Sequence, residues 1–128
     1  MEPYYITTPI YYVNDRPHIG TSYTSIACDI FARYQKLKGN KVYFLTGTDE
    51  HGQKVEKEAI NSKLEPKDFV NQMSKHFRDL IPFLGCNIDD FIRTTEQRHI
   101  EASQYLWKKL YIVQLLGLMK IKKWVRSM

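Results

Sequence analysis

Thr7-Thr8-Pro9-Ile10-Tyr11-Tyr12, followed by Pro17-His18-Ile19-Gly20-Thr21, reads as the end of an apolar strand, a polar turn and the start of a helix. An α/β nucleotide-binding domain holds phosphates at such a junction. The helix N-terminus offers unpaired backbone N–H groups and the positive end of the macrodipole, and a glycine lets a ligand lie against the backbone. His18 adds a hydrogen-bond donor and Gly20 adds clearance. His18-Ile19-Gly20-Thr21 taken alone has many chance matches, so the reading depends on what surrounds it.

About thirty residues on, Lys41-Val42-Tyr43-Phe44-Leu45 predicts a buried strand, and Thr46-Gly47-Thr48-Asp49-Glu50-His51-Gly52 a polar, glycine-flanked loop. In a parallel βαβ unit both loops lie at the carboxyl ends of neighbouring strands. Tyr12, Asn14 and His18 are therefore expected to face one crevice with Asp49, Glu50 and His51.

The remaining elements follow from periodicity and stop signals. The first strand is expected over Tyr4–Tyr12, and a helix over about Ser22–Lys38, with Ile26, Ile30, Tyr34 and Leu37 packing on the sheet and Gly39-Asn40 as its stop. A second helix begins near His51 and carries Val55 and Ala59 inward. A third begins at Pro66, with Phe69, Val70, Met73, Phe77 and Leu80 along one side, and ends at Pro82 and Gly85. Asp89–Thr95 predicts a short strand, and Glu96–Tyr111 a helix with Ile100, Ser103, Leu106, Trp107 and Leu110 near one face. The alternation argues for an open, mostly parallel sheet with flanking helices.

Three segments carry a resemblance to a known family. Tyr5-Ile6-Thr7-Thr8-Pro9-Ile10-Tyr11-Tyr12-Val13-Asn14-Asp15-Arg16-Pro17-His18-Ile19-Gly20, Phe44-Leu45-Thr46-Gly47-Thr48-Asp49-Glu50-His51-Gly52-Gln53-Lys54-Val55, and Asp89-Asp90-Phe91-Ile92-Arg93-Thr94-Thr95-Glu96-Gln97-Arg98-His99 together resemble the N-terminal part of a methionyl-tRNA synthetase. The likeness runs from about Tyr4 to about Tyr111. It implies the N-terminal half of a Rossmann-like class I catalytic domain, over residues 1–111, with a non-matching basic and apolar tail over 112–128.

The resemblance implies an aminoacyl-tRNA synthetase that activates L-methionine with ATP and Mg²⁺ and passes the methionyl group to tRNA(Met). It assigns Pro17, His18, Gly20 and Thr21 to ATP, with His18 and Thr21 in the catalytic step, and Ile10, Tyr12 and Asp49 to methionine, Asp49 pairing with the α-ammonium. Asn14, Glu50 and His51 are further pocket candidates. Thr21 stands where the family usually has a second histidine. Its hydroxyl can donate to phosphate, or simply cap the helix. Asp49 can likewise act as a helix cap and Tyr12 as a core aromatic. The family's lysine-rich signature loop and its anticodon-binding domain do not occur in these 128 residues. Three classes of function therefore stand: an enzyme part, an ATP- or methionine-binding module without turnover, and an incomplete gene product.

Composition adds limits. A chain of 128 residues suits one domain with a real core. The formal charge of +5 owes much to Lys120, Lys122, Lys123 and Arg126 in the tail, so it says little about the domain. The apolar run before those cations falls short of the roughly 20 residues a spanning helix needs, and a surface helix or disordered end is expected there. The start, Met1-Glu2-Pro3-Tyr4-Tyr5, lacks a basic leader region, and a cytoplasmic location is expected. Cys28 and Cys86 have no metal-ligand spacing and read as reduced and structural, with no metal site.

Overall fold

Four parallel strand segments and four helices make up the computed structural model, which describes residues 2–125, with side chains to Gln114. The order is β1 (Pro3–Thr7), β2 (Tyr11–Tyr12), α1 (Ile19–Leu37), β3 (Lys41–Asp49), α2 (Gln53–Asn61), α3 (Pro66–Phe83), β4 (Asp90–Arg93) and α4 (Gln97–Val125). Two compact units divide between Thr95 and Glu96. The boundary expected at Tyr111 falls inside α4, which carries the first part of the tail as helix. Arg126 and the side chains of Lys120, Lys122 and Lys123 lie outside the described residues.

β3 is the centre of the sheet. Leu45 pairs with Thr7 on one side and Asp90 on the other, and Thr48 pairs with Tyr11 and Arg93, so β1 and β2 run along one side of β3 and β4 along the other. The strand expected over Tyr4–Tyr12 is thus one lane interrupted at Thr8-Pro9-Ile10. Pro9 has no N–H to give the ladder, and three residues there face two on β3, which makes a bulge. The Thr8 and Thr46 hydroxyls, 2.6 Å apart, hold the interruption shut.

The expected loop over Thr46–Asp49 is strand instead. Gly47 sits so close to Ile92 of β4 that a side chain would collide with the Ile92 carbonyl, so the glycine serves strand pairing, not a turn. β4 is shorter than expected, ending at Arg93.

α1 and α3 cover the same face of the sheet. Tyr4 meets Phe31 of α1 edge-on at 6.4 Å, while Tyr11 stacks on Phe77 of α3 at 5.6 Å and Thr48 bonds Ser74 of α3. All three strand residues belong to one side of the pleat in the observed register. Tyr5 and Tyr43, stacked at 6.0 Å, belong to the other and are exposed. The core joins Tyr11, Val13, Val55, Ala59, Phe69, Val70, Phe77 and Phe91, so the inward faces expected of α2 and α3 hold.

The inward face expected of α1 does not. Ile26, Ile30, Tyr34 and Leu37 are exposed, and Thr21, Ser25, Asp29, Ala32 and Gln35 are buried. Each buried polar group has a partner. Ser25 Oγ lies 2.7 Å from the Tyr11 hydroxyl, Asp29 accepts from the Asn87 N–H at 2.8 Å and from Arg33 Nε at 2.6 Å, and Gln35 Oε1 accepts from Asn40 Nδ2 at 3.0 Å. The small residues let the helix lie close to the sheet, and the hydrogen bonds offset the cost of burying polarity.

α1 starts at Ile19, three residues before the expected start, because His18 caps it. α2 starts at Gln53 behind Gly52, and α3 continues past Pro82 to Phe83. At all three C-termini the residue beyond the cap has positive φ, and paired bonds close the last turn. Gly39 and Gly85 fill two of these positions, and Lys63, at φ +55°, fills the third.

Candidate functional site

A cleft of about 460 Å³ opens at the carboxyl end of β1 and β2, against the first turn of α1. Ile10, Tyr12, Asn14, His18, Gly20 and Thr21 line it, together with Pro9, Tyr11, Asp15, Arg16, Thr24 and Phe77. Of the residues the sequence singled out on the first loop, Pro17 alone is not on the wall.

His18 has extended backbone, φ −129° and ψ 178°, as an N-cap requires. Its Nδ1 accepts from the Gly20 N–H at 3.1 Å. In the neutral ring the proton is then on Nε2, which is left as the donor. Gly20 makes this geometry possible, since a side chain there would meet His18 Cε1 at 2.9 Å. Thr21 completes a reciprocal cap: its buried Oγ1 accepts from the His18 N–H at 3.5 Å. The motif thus builds its own histidine mount, with the ring exposed and its backbone tied to the helix.

The second loop is organised differently from the shared crevice that the sequence suggested. Asp49, Glu50 and His51 are not on the cleft wall. Asp49 ends β3 beside Tyr12, its register partner, and is half-buried. Glu50, expected as a pocket candidate, turns its carboxylate into the protein, where its side chain is 0% exposed. Arg93 Nε donates to Oε1 at 2.6 Å and Arg93 Nη2 to Oε2 at 2.9 Å, while the Thr48 and Thr95 hydroxyls donate to one oxygen each. Burial acts to raise the Glu50 carboxyl pKa, but these bonds and the Arg93 charge outweigh it and hold it below its usual value. The Glu50 N–H donates to Thr94 Oγ1 at 2.9 Å, and the His51 ring lies 3.4 Å from the Thr94 carbonyl. The loop is therefore pinned to the end of β4.

Sequence reasoning passed over Arg16, a cation on the cleft wall two residues before His18; its place inside the motif run was the available signal. It also passed over Arg93, whose partner is 43 residues away. Cys28 and Cys86 are free thiols, both pushed up in pKa by burial. Among the described residues no three His, Cys, Asp or Glu side chains gather as a metal cage, and no helix is long and apolar enough to cross a membrane.

A family model described as tRNA synthetases class I (M) matches residues 4–126. The chain belongs to this family. It is 59% identical over 107 residues to the methionine–tRNA ligase of Rickettsia bellii, covering 84% of this chain and 21% of that protein. The methionine–tRNA ligase of Rhizobium meliloti is 50% identical over 108 residues, again covering 84% and 21%. Among solved structures, Mycobacterium tuberculosis methionyl-tRNA synthetase in complex with methionyl-adenylate superposes with a TM-score of 0.85 at 42% identity, covering 88% of this chain and 22% of that one. The chain spans about a fifth of the length of the curated relatives it matches. The parallel sheet with flanking helices is the N-terminal Rossmann-like catalytic region of this synthetase family.

Proposed function

We propose that the chain forms the ATP- and methionine-binding part of a methionine–tRNA ligase, and that its cleft takes part in methionyl-adenylate formation. In that reaction the methionine carboxylate attacks the α-phosphorus of ATP and pyrophosphate leaves. Such chemistry depends on positioning and on stabilising charge as it moves. His18 Nε2–H donates to a phosphate oxygen as charge builds on the leaving group, Arg16 and the α1 N-terminus add positive potential, and Mg²⁺ arrives as the counter-ion of the triphosphate. Thr21 and Pro17 act through His18 by holding it. Ile10 and Tyr12 take the methionine side chain and Asn14 the polar rim, and Asp49, one strand behind Tyr12 and outside the cleft wall, meets the ammonium group once the bound ligand reaches past Tyr12. Glu50 and His51 fix the loop that carries Asp49. Transfer to tRNA(Met) belongs to the whole polypeptide of this family, acting in the cytoplasm.

The observation that supports this most is the exposed His18 ring, oriented by its own cap at the rim of a cleft, in a chain of this family. Methionine-dependent exchange of pyrophosphate into ATP tests it. Exchange that disappears in His18→Ala supports the reading, and no exchange from a folded chain overturns unaided turnover. A second reading is a module that binds methionine or ATP without turnover, favoured by the chain spanning about a fifth of its relatives' length. Calorimetric binding without exchange identifies it.

A further inference from the structure

We infer that Gly52 is a positioning residue for the Tyr12 phenol, through which the loop after β3 sets one wall of the cleft. The inference rests on the reading above that Tyr12 contacts methionine. Tyr12 and Gly52 lie on different loops and are joined by a close approach. A Cβ added at Gly52 would overlap the Tyr12 hydroxyl oxygen, while the ring carbon bearing it, Cζ, stands at 3.6 Å, an ordinary contact.

Gly52 has φ +116° and ψ 160°, a region essentially reserved for glycine. It is also the N-cap of α2, and it makes no side-chain cap bond. Asp, Asn or Ser would be expected at such a position for helix stability. The glycine thus forgoes a cap and leaves room for a hydroxyl from the neighbouring loop. One segment thus meets Tyr12 twice, Asp49 pairing with its backbone and Gly52 lying against its hydroxyl, although neither lines the cleft. The second loop reaches the cleft through Tyr12.

Gly52→Ala introduces two effects, backbone strain and overlap with the hydroxyl, and Tyr12→Phe removes only the second. L-methionine affinity of the full chain is measured by calorimetry for the native chain, each single variant and the double variant. Gly52→Ala is expected to weaken binding about tenfold in the native background, equivalent to about 1.4 kcal/mol. In the Tyr12→Phe background the same change is expected to cost less than about twofold, within the error of additivity. Equal losses in both backgrounds overturn the inference, because strain alone then explains them.

A second measurement needs neither a variant nor methionine. In the free native chain, nuclear Overhauser contacts are expected between the Tyr12 ring protons and the Gly52 α-protons, and their absence overturns the inference. Contacts without any methionine binding leave the positioning claim standing and overturn the functional reading beneath it.

Discussion

Arg93→Ala tests the ion pair between Arg93 and the buried Glu50 carboxylate. Removing the guanidinium leaves the Glu50 carboxylate, 0% exposed, with only the Thr48 and Thr95 hydroxyls. Breaking a buried ion pair from one side costs about 3–5 kcal/mol; with Arg93 itself 20% exposed, about 2–4 kcal/mol is expected here. Each kcal/mol moves the thermal midpoint by about 4–8 °C in a unit of this size, so a fall of at least about 8 °C is expected by circular dichroism. Asp79→Ala is the control. Its pair with Lys75 is exposed on both sides, 59% and 75%, and contributes at most about 0.5 kcal/mol.

The same network predicts acid sensitivity of defined sign. The folded Glu50 carboxyl titrates below its unfolded value of about 4.3, so its contribution is fully present above that pH and disappears as pH falls through the folded value. Glu50→Gln should therefore flatten the acid limb of the stability curve. Equal midpoints for Arg93→Ala and Asp79→Ala, or an unchanged acid limb in Glu50→Gln, refute the argument that burial gives this pair its weight.

Three further outcomes are expected. His18→Asp keeps a cap acceptor at the start of α1 and should retain stability to within about 0.5 kcal/mol, whereas His18→Ala should lose about 1 kcal/mol; both should lose ATP binding in equilibrium dialysis, separating the cap from the phosphate contact. Lys63→Gly should raise stability by about 0.5–1 kcal/mol in urea titration, since φ +55° strains a residue with a side chain; an unchanged midpoint contradicts this. Tyr11→Phe removes the partner of Ser25, which is 0% exposed, and should cost about 1–2 kcal/mol by the same titration, whereas replacing Ser25 by Ala in that background should recover part of it.

The legible parts of the fold were those governed by local pattern. The inward stripes of α2 and α3 stood out because each helix has one apolar face, and the order of strands and helices led directly to a parallel sheet. α1 misled because it carries two stripes. Periodicity marks the apolar one, Ile26, Ile30, Tyr34 and Leu37, but the sheet selects Thr21, Ser25, Asp29 and Ala32, whose partners Tyr11 and Asn87 are distant in sequence. Thr46-Gly47-Thr48 reads as loop by composition, and long-range pairing makes it strand, with β4 along all three residues and with β2 at Thr48. In the site, the His18 cap was written in adjacent residues and the cleft wall of the first loop followed from it. Glu50 was misplaced because a carboxylate at a strand end points to a ligand unless a long-range cation claims it.

The parallel register also sets a timetable. Thr8 meets Thr46 across 38 residues and Phe44 meets Asp89 across 45, so no sheet contact can form between sequence neighbours. At about 5–20 residues per second on the ribosome, β1 waits about 2–8 s for its partner strand to be synthesised. α1, which lies between β1 and β3, samples its local bonds within about a microsecond, so in that interval the nascent chain presents one unpacked helix beside an unpaired, tyrosine-rich strand. That interval is when a holding chaperone has most to protect.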